Sequence, residues 1–252
     1  MDLSQALLIA SHTDPGMVRS HNEDSIASIP EKGLVVLADG MGGYNAGEVA
    51  SGMATTVLTT ELRQLLEQHA PHDIDPKDGK KTAQKMLQEQ IAKANTSIYQ
   101  ASHSQPQYAG MGTTLVVALF YDNKMMVAHI GDSRLYRMRG DEFSQVTRDH
   151  SLLQEQIDAG MLTKEQAKHS TNKNLVTKAL GIDPAVEPEI HEYHTRPGDI
   201  YLLCSDGLSD MVSDEDIGMA LQALGANPNL AAQQLVQMAN DNGGRDNVSV
   251  IL

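Results

Sequence analysis

The apolar positions of the chain change period several times. Residues 5–12 and 33–38 are short apolar runs bounded by turn residues, and each predicts a strand. Over 46–69 Val49, Met53, Val57, Leu58, Leu62 and Leu65 recur at helical spacing. A second helix is predicted over 80–102, with Ala83, Leu87, Ile91, Ala94 and Ile98 on one face. The stretch PHDIDPKDG between them reads as a loop. The period then shortens: TTLVVALFYDNKMMVAHIGDSRLYRMRGDEFSQVT reads as successive strands, with turns at Asp122-Asn123, near Gly131 and at Gly140-Asp141. Connections this tight imply antiparallel pairing. Residues 148–183 are polar and mixed, with short helical pieces in SLLQEQIDAG, TKEQAKH and NLVTKALG. This segment is either a flap over a site or a surface excursion. Strands resume at 188–195 and at IYLLCSD, and Ser213 with Asp216 predicts a capped helix to about residue 224. NLAAQQLVQMAND is a last helix, and GGRDNVSVIL is a turn and a closing strand.

This order does not alternate strand and helix, which argues against a doubly wound parallel sheet. It predicts an α+β layering with antiparallel sheets and helices outside. No internal repeat or linker interrupts it, and a single domain over 1–252 is expected.

Composition changes the picture in a few places. Aromatics are 4% of the 252 residues, so the core is aliphatic. A formal net charge of −14, with no basic run to offset it, argues against nucleic acid and anionic membrane as partners. Cys204 is the only cysteine, which excludes an intrachain disulfide and multi-cysteine zinc sites. No signal-type N-terminus and no run of about 20 apolar residues is seen. A cytoplasmic protein is expected. No long apolar patch asks for a second copy, so a monomer is expected.

The acid excess has a local pattern. Asp39 ends LVVLAD, Asp132 ends MMVAHIGD, Asp206 ends IYLLCSD, and Asp246 sits in GGRDN just before VSVIL. For any one of these, a turn residue is the simpler explanation. Four strands with the same ending point instead to carboxylates gathered on one rim, where a divalent cation must offset their repulsion. Oxygen ligands suit magnesium, manganese or calcium. Acids scattered over more than 200 residues argue against a local calcium loop. DPGMVRSHNED adds Arg19, a fork for phosphate, five residues before Asp24.

Other motifs fail. The glycines of ADGMGG lack the Lys-Ser/Thr of a phosphate loop, and Asn45 stands where a dinucleotide fingerprint needs glycine. An ionised Asp39 would also repel bare phosphate, whereas Gly40 would let its carbonyl approach a metal. His191 and His194 face opposite sides of a strand. Ser133 and Ser205 flank acids without a nucleophile elbow. Cys204 reads as packing.

RSHNED, ADGMGG, GMGTT at 110–114, GDSRLY, LLCSDGL and GGRDN occur in an order that resembles the metal-dependent serine/threonine protein phosphatases of type 2C, in their bacterial branch. The resemblance runs from residue 13 to the C-terminus. It implies a four-layer sandwich: two packed antiparallel β-sheets flanked by pairs of helices. It implies two Mn2+ or Mg2+ ions in a core site. Asp39, Asp206 and Asp246 hold one, and Asp24, Asp39 and the Gly40 carbonyl hold the second. Asp132 with Asp206 contributes to a third, looser site. Arg19 corresponds to the phosphate-binding arginine, and 148–183 to the flap. The implied reaction is direct hydrolysis of phosphoserine and phosphothreonine in proteins, the products of a Ser/Thr kinase, without a phospho-enzyme. One departure concerns the general acid. Many eukaryotic relatives carry histidine directly after the Asp-Gly pair, and here Met41 stands there. A water, His169 or His150 is left for the role. Two other readings stay open: a non-catalytic phosphoprotein-binding module, and a hydrolase of small phosphoesters.

Overall fold

The computed structural model describes residues 2–43, 46–167 and 175–252. Its strands are β1 (Ser11–Asp14), β2 (Asp24–Ile29), β3 (Leu34–Met41), β4 (Gly112–Thr113), β5 (Leu115–Tyr121), β6 (Lys124–Ile130), β7 (Arg134–Arg139), β8 (Glu142–Gln145), β9 (Glu189–His194), β10 (Ile200–Cys204) and β11 (Val248–Ile251). Its helices are α1 (Ala46–Gln68), α2 (Thr82–Ser104), α3 (Leu152–Asp158), α4 (Lys164–Ala167), α5 (Asp206–Ser209), α6 (Asp214–Leu224) and α7 (Pro228–Asp241). One sheet runs β1-β11-β10-β7-β8, the other β2-β3-β5-β6-β9 with β4 paired to β3. Every pairing between these strands is antiparallel.

Three apolar layers bind four structural ones. Leu34, Val36 and Ala38 of β3 pack with Leu58, Leu62, Leu87 and Ile91 of α1 and α2. Val35 and Leu37, on the opposite face, meet Leu135, Leu203 and Ile251 of the other sheet. Beyond that sheet, Leu202, Cys204, Val248 and Val250 pack with Ile217, Leu221, Leu235 and Val236 of α6 and α7. The expected α+β sandwich of two antiparallel sheets between helices is what the chain forms. β3 is apolar without alternation because both its faces are covered.

The chain departs from its pattern in three places. The strand expected over 5–12 begins only at Ser11. Ser11 pairs with Ile251, near the end of β11, and only Ala10 with Leu252 extends the ladder backwards. Residues before that have no partner strand, and Ala6 and Leu7 turn back on the Leu3 carbonyl. β2 was not marked by the pattern, since DSIASI is half polar. Residues 175–181 of NLVTKALG are not helical; Val176 and Leu180 form isolated bridges to Ser151 and Thr113. Ser213 caps α6 as its sequence indicates, accepting from the Asp216 N–H. Among the described residues no helix is long and apolar enough to cross a membrane.

Candidate metal centre

Strand parity aims the first two acids. Val35 and Leu37 of β3 face the other sheet, and Asp39, two residues on, shares that face. In β2, Ile26 packs in the same layer, and Asp24 shares its face. Asp24 and Asp39 are register partners, so two carboxylates stand side by side at the end of the inter-sheet layer. Asp206 follows β10 as the first residue of α5, Asp132 lies in the β6–β7 turn, and Asp246 leads into β11.

The electrostatics record how these acids converge. Burial holds the Asp39 carboxyl well above the usual carboxylate range, and the charges of Asp24, Asp206, Asp132 and Asp246 push it further. Burial does the same to Asp206, reinforced by Asp132, Asp210, Asp246 and Asp24. Burial pushes Asp24 up to about 6 against opposing hydrogen bonds from Ser249 and Ser205. Asp132 is pushed up to about 6 by burial and then by Asp149. Such a group is ionised together at neutral pH only with cations among its members.

The donor set fits hard divalent ions, being oxygen throughout. Asp24 gives a sharper test. Ser205 Oγ donates to its Oδ2 at 2.8 Å, while its Oδ1 is buried with no hydrogen-bond partner. A sealed carboxylate oxygen without a donor fits a cation ligand. Gly40 is held in β3 with its N–H on the Glu23 carbonyl at 3.1 Å. Arg19 donates from Nη2 to Asp246 Oδ2 at 2.7 Å, with 53% of its side chain exposed. That bond to Asp246 raises the guanidinium pKa further, and it is the guanidinium's one hydrogen bond among the described residues, so its other donors can meet a ligand from solvent.

Three participants were not singled out by the sequence. Glu23 has its carboxyl raised by burial, against the lowering charge of Arg19. Asp210, one turn after Asp206, adds its charge to both Asp206 and Asp132. Asn247 joins the loop of Arg19 to β11: its amide donates to the Pro15 and His21 carbonyls at 3.0 and 2.8 Å and accepts the Glu23 N–H at 2.8 Å. Their only signal was adjacency to residues already chosen.

Of the two histidines offered for proton transfer, His150 does not join this group. His150 is buried; its Nδ1 accepts the Gly131 N–H at 3.1 Å and its Nε2 faces Glu189 at 3.3 Å. His169 lies outside the described residues.

The profile of a family described as protein phosphatase 2C matches residues 11–245. The chain belongs to the protein phosphatase 2C family. Among relatives of this protein phosphatase 2C chain, the serine/threonine protein phosphatase PstP of Mycobacterium tuberculosis is 40% identical over 248 residues, 98% of this chain and 44% of PstP. The chain thus spans less than half the length of that relative. The serine/threonine phosphatase Stp of Listeria innocua is 35% identical over 243 residues, 95% of this chain and 92% of Stp. The M. tuberculosis PstP crystal structure superposes with a TM-score of 0.85 at 38% identity, over 97% of this chain and 96% of that one. A further structure, of the PstP catalytic domain in complex with 2 manganese ions, gives a TM-score of 0.82 at 38% identity, over 97% and 96% of the two chains.

Proposed function

We propose that this protein phosphatase 2C chain is a manganese- or magnesium-dependent enzyme that hydrolyses phosphoserine and phosphothreonine in proteins. The observation that carries this is Asp39, half-buried at the end of β3 and acted on by four other carboxylates. Asp39, Asp206 and Asp246 would hold one ion. Asp24, Asp39 and the Gly40 carbonyl would hold a second, and Asp132 with Asp206 a third. When bound, such ions lower the pKa of water toward neutrality and offset charge on phosphoryl oxygens.

The chain's own residues shape the rest. Arg19, anchored on Asp246, presents a fork to the phosphate. Ser205 orients Asp24 and accepts the Ser249 N–H at 3.0 Å. Ser133 Oγ shares a hydrogen bond with Thr114 Oγ1 at 2.7 Å. Both serines are sealed from solvent, and burial pushes the Cys204 thiol up to about 12. None of the three is an activated nucleophile, which supports direct attack of water on phosphorus without a phospho-enzyme. The chain would act as one catalytic unit with 148–183 beside the site, as a monomer in the cytoplasm, on products of a Ser/Thr kinase.

The test is release of phosphate from a phosphothreonine peptide. Activity with Mn2+ is expected, abolished by chelator and reduced by about 1,000-fold or more in Asp206→Ala. An inactive wild type with both Mn2+ and Mg2+ overturns the reading, and tight peptide binding without turnover would mark a binding module instead. Faster turnover of small phosphate esters than of peptide would move the substrate class.

A further inference from the structure

The β6–β9 ladder carries a second group of ligand-type side chains. His129 and Glu189 are register partners there. Both share the face of Val127 and Met125, which packs between the sheets. The backbone brings His150 to them. Its N–H donates to the Gly131 carbonyl at 2.8 Å, and its Nδ1 accepts the Gly131 N–H at 3.1 Å. The two imidazoles lie nearly parallel, with centroids 4.8 Å apart. His129 Nε2 is 3.9 Å from Glu189 Oε2, and His150 Nε2 is 3.3 Å from Glu189 Oε1. One ligand atom of each residue lies within 4.8 Å of the others.

Two imidazoles and a carboxylate are a ligand set of open zinc sites. Bonds of about 2.0–2.1 Å place the ligand atoms of a tetrahedral zinc about 3.3 Å apart. The His150–Glu189 edge already has that spacing, and Glu189, 40% exposed, has room to close its 3.9 Å edge to His129. His150 sets the proton balance. Its Nδ1 accepts a hydrogen bond, so its Nε2 carries the proton of the neutral ring, and that sealed atom faces Glu189 Oε1 at 3.3 Å. A cation bound at Nε2 shifts the ring proton to Nδ1, so the Gly131 N–H gives up its acceptor in exchange for the metal bond. His129 Nε2 donates to the Arg148 carbonyl at 2.8 Å, so binding there exchanges a hydrogen bond for a metal bond beside a further oxygen. Burial holds both imidazole pKa values below the ordinary value, which leaves the rings unprotonated at neutral pH.

We propose that His129, His150 and Glu189 form a transition-metal site, preferring zinc, that clamps the base of the 148–183 segment to β6. The preference follows from nitrogen ligands, where the five-aspartate group offers only oxygen. The clamp follows from lacing. The His150 carbonyl accepts the Thr177 N–H at 2.9 Å, and Leu152 donates to the Leu175 carbonyl at 2.9 Å. Fixing His150 therefore fixes both arms of the segment at once, while Glu189 opens the next strand.

The test is zinc binding in excess Mg2+. Wild type is expected to bind one zinc more than Glu189→Gln or His150→Gln, each weakened at this site by about 100-fold or more. Co2+ in place of zinc should give the intense visible bands of a four-coordinate ion in wild type alone. Amide exchange at Leu152 and Thr177 should slow on adding zinc to wild type and stay unchanged in Glu189→Gln, whose half-exposed side chain leaves the fold intact. Equal zinc binding by wild type and both variants overturns the proposal and leaves a hydrogen-bonded histidine pair only. These readouts use no phosphatase activity, so failure here is separate from failure of the catalytic reading.

Discussion

Gly40 shows how tightly single residues are set. A Cβ there would lie 2.1 Å from the Gly47 carbonyl oxygen and 2.6 Å from that of Glu23. The first turn of α1 therefore packs against bare backbone. Gly40→Ala must displace that turn, and an expected loss of about 3 kcal/mol lowers the midpoint of a thermal melt by roughly 6–12 °C. The sequence already marked this position, because a small residue follows an acid at the end of an apolar run. Asp39, Asp132 and Asp206 were legible for the same reason. Glu23 and Asn247 were not. Neither ends an apolar run, and an asparagine before a strand looks like any turn residue. What distinguishes Asn247 is three partners at positions 15, 21 and 23, and no local pattern encodes a contact across more than 220 residues.

Elements were legible where one face or both met apolar neighbours. α1, α2 and β3 announced themselves by period or by a continuous run. The β5–β6 hairpin did so by its turn, where Asp122 and Asn123 both take positive φ, 46° and 56°. β2 and the segment over 175–181 stayed hidden because polar contacts hold them. Asn95 of α2 is the clearest case. It is 1% exposed, accepts the Gly181 N–H at 2.8 Å and donates to the Asp183 carbonyl at 3.0 Å. One amide thus fastens the far end of 148–183 to a helix. Asn95→Leu leaves two backbone groups without partners and is expected to lower stability by about 2–3 kcal/mol. Equilibrium urea unfolding checks this; an unchanged midpoint would mean that water replaces the amide.

At the scale of the whole molecule, layering followed from the order of elements, but sheet order did not. β11 lies between β1 and β10, and nothing in VSVIL names those neighbours. The layers bring buried acids together, and this gives stability a pH dependence. Burial raises Asp132 and Asp24 from the ordinary 3.8 to about 6 in the fold. A raised carboxyl stabilises the metal-free fold fully below pH 3.8, and that share is lost as pH climbs through 6. Asp132 alone accounts for about 3 kcal/mol. In EDTA the melting temperature should fall between pH 4 and pH 7, and saturating Mn2+ should cancel the fall, since ionised acids bind the ion. A flat profile in EDTA would mean that the acids are not held together without metal. The place of β11 has a further consequence, for the protein while it is being made. Ser11 pairs with Ile251, so β1 has no neighbour in its sheet until β11 has been made. A nascent chain carries Asp24, Asp39, Asp132 and Asp206 long before it carries Asp246 and the strand that follows. Any fragment ending earlier leaves β1 and β10 without their shared partner and the acids one member short. The group of acids is therefore complete only once Asp246 and β11 have been made.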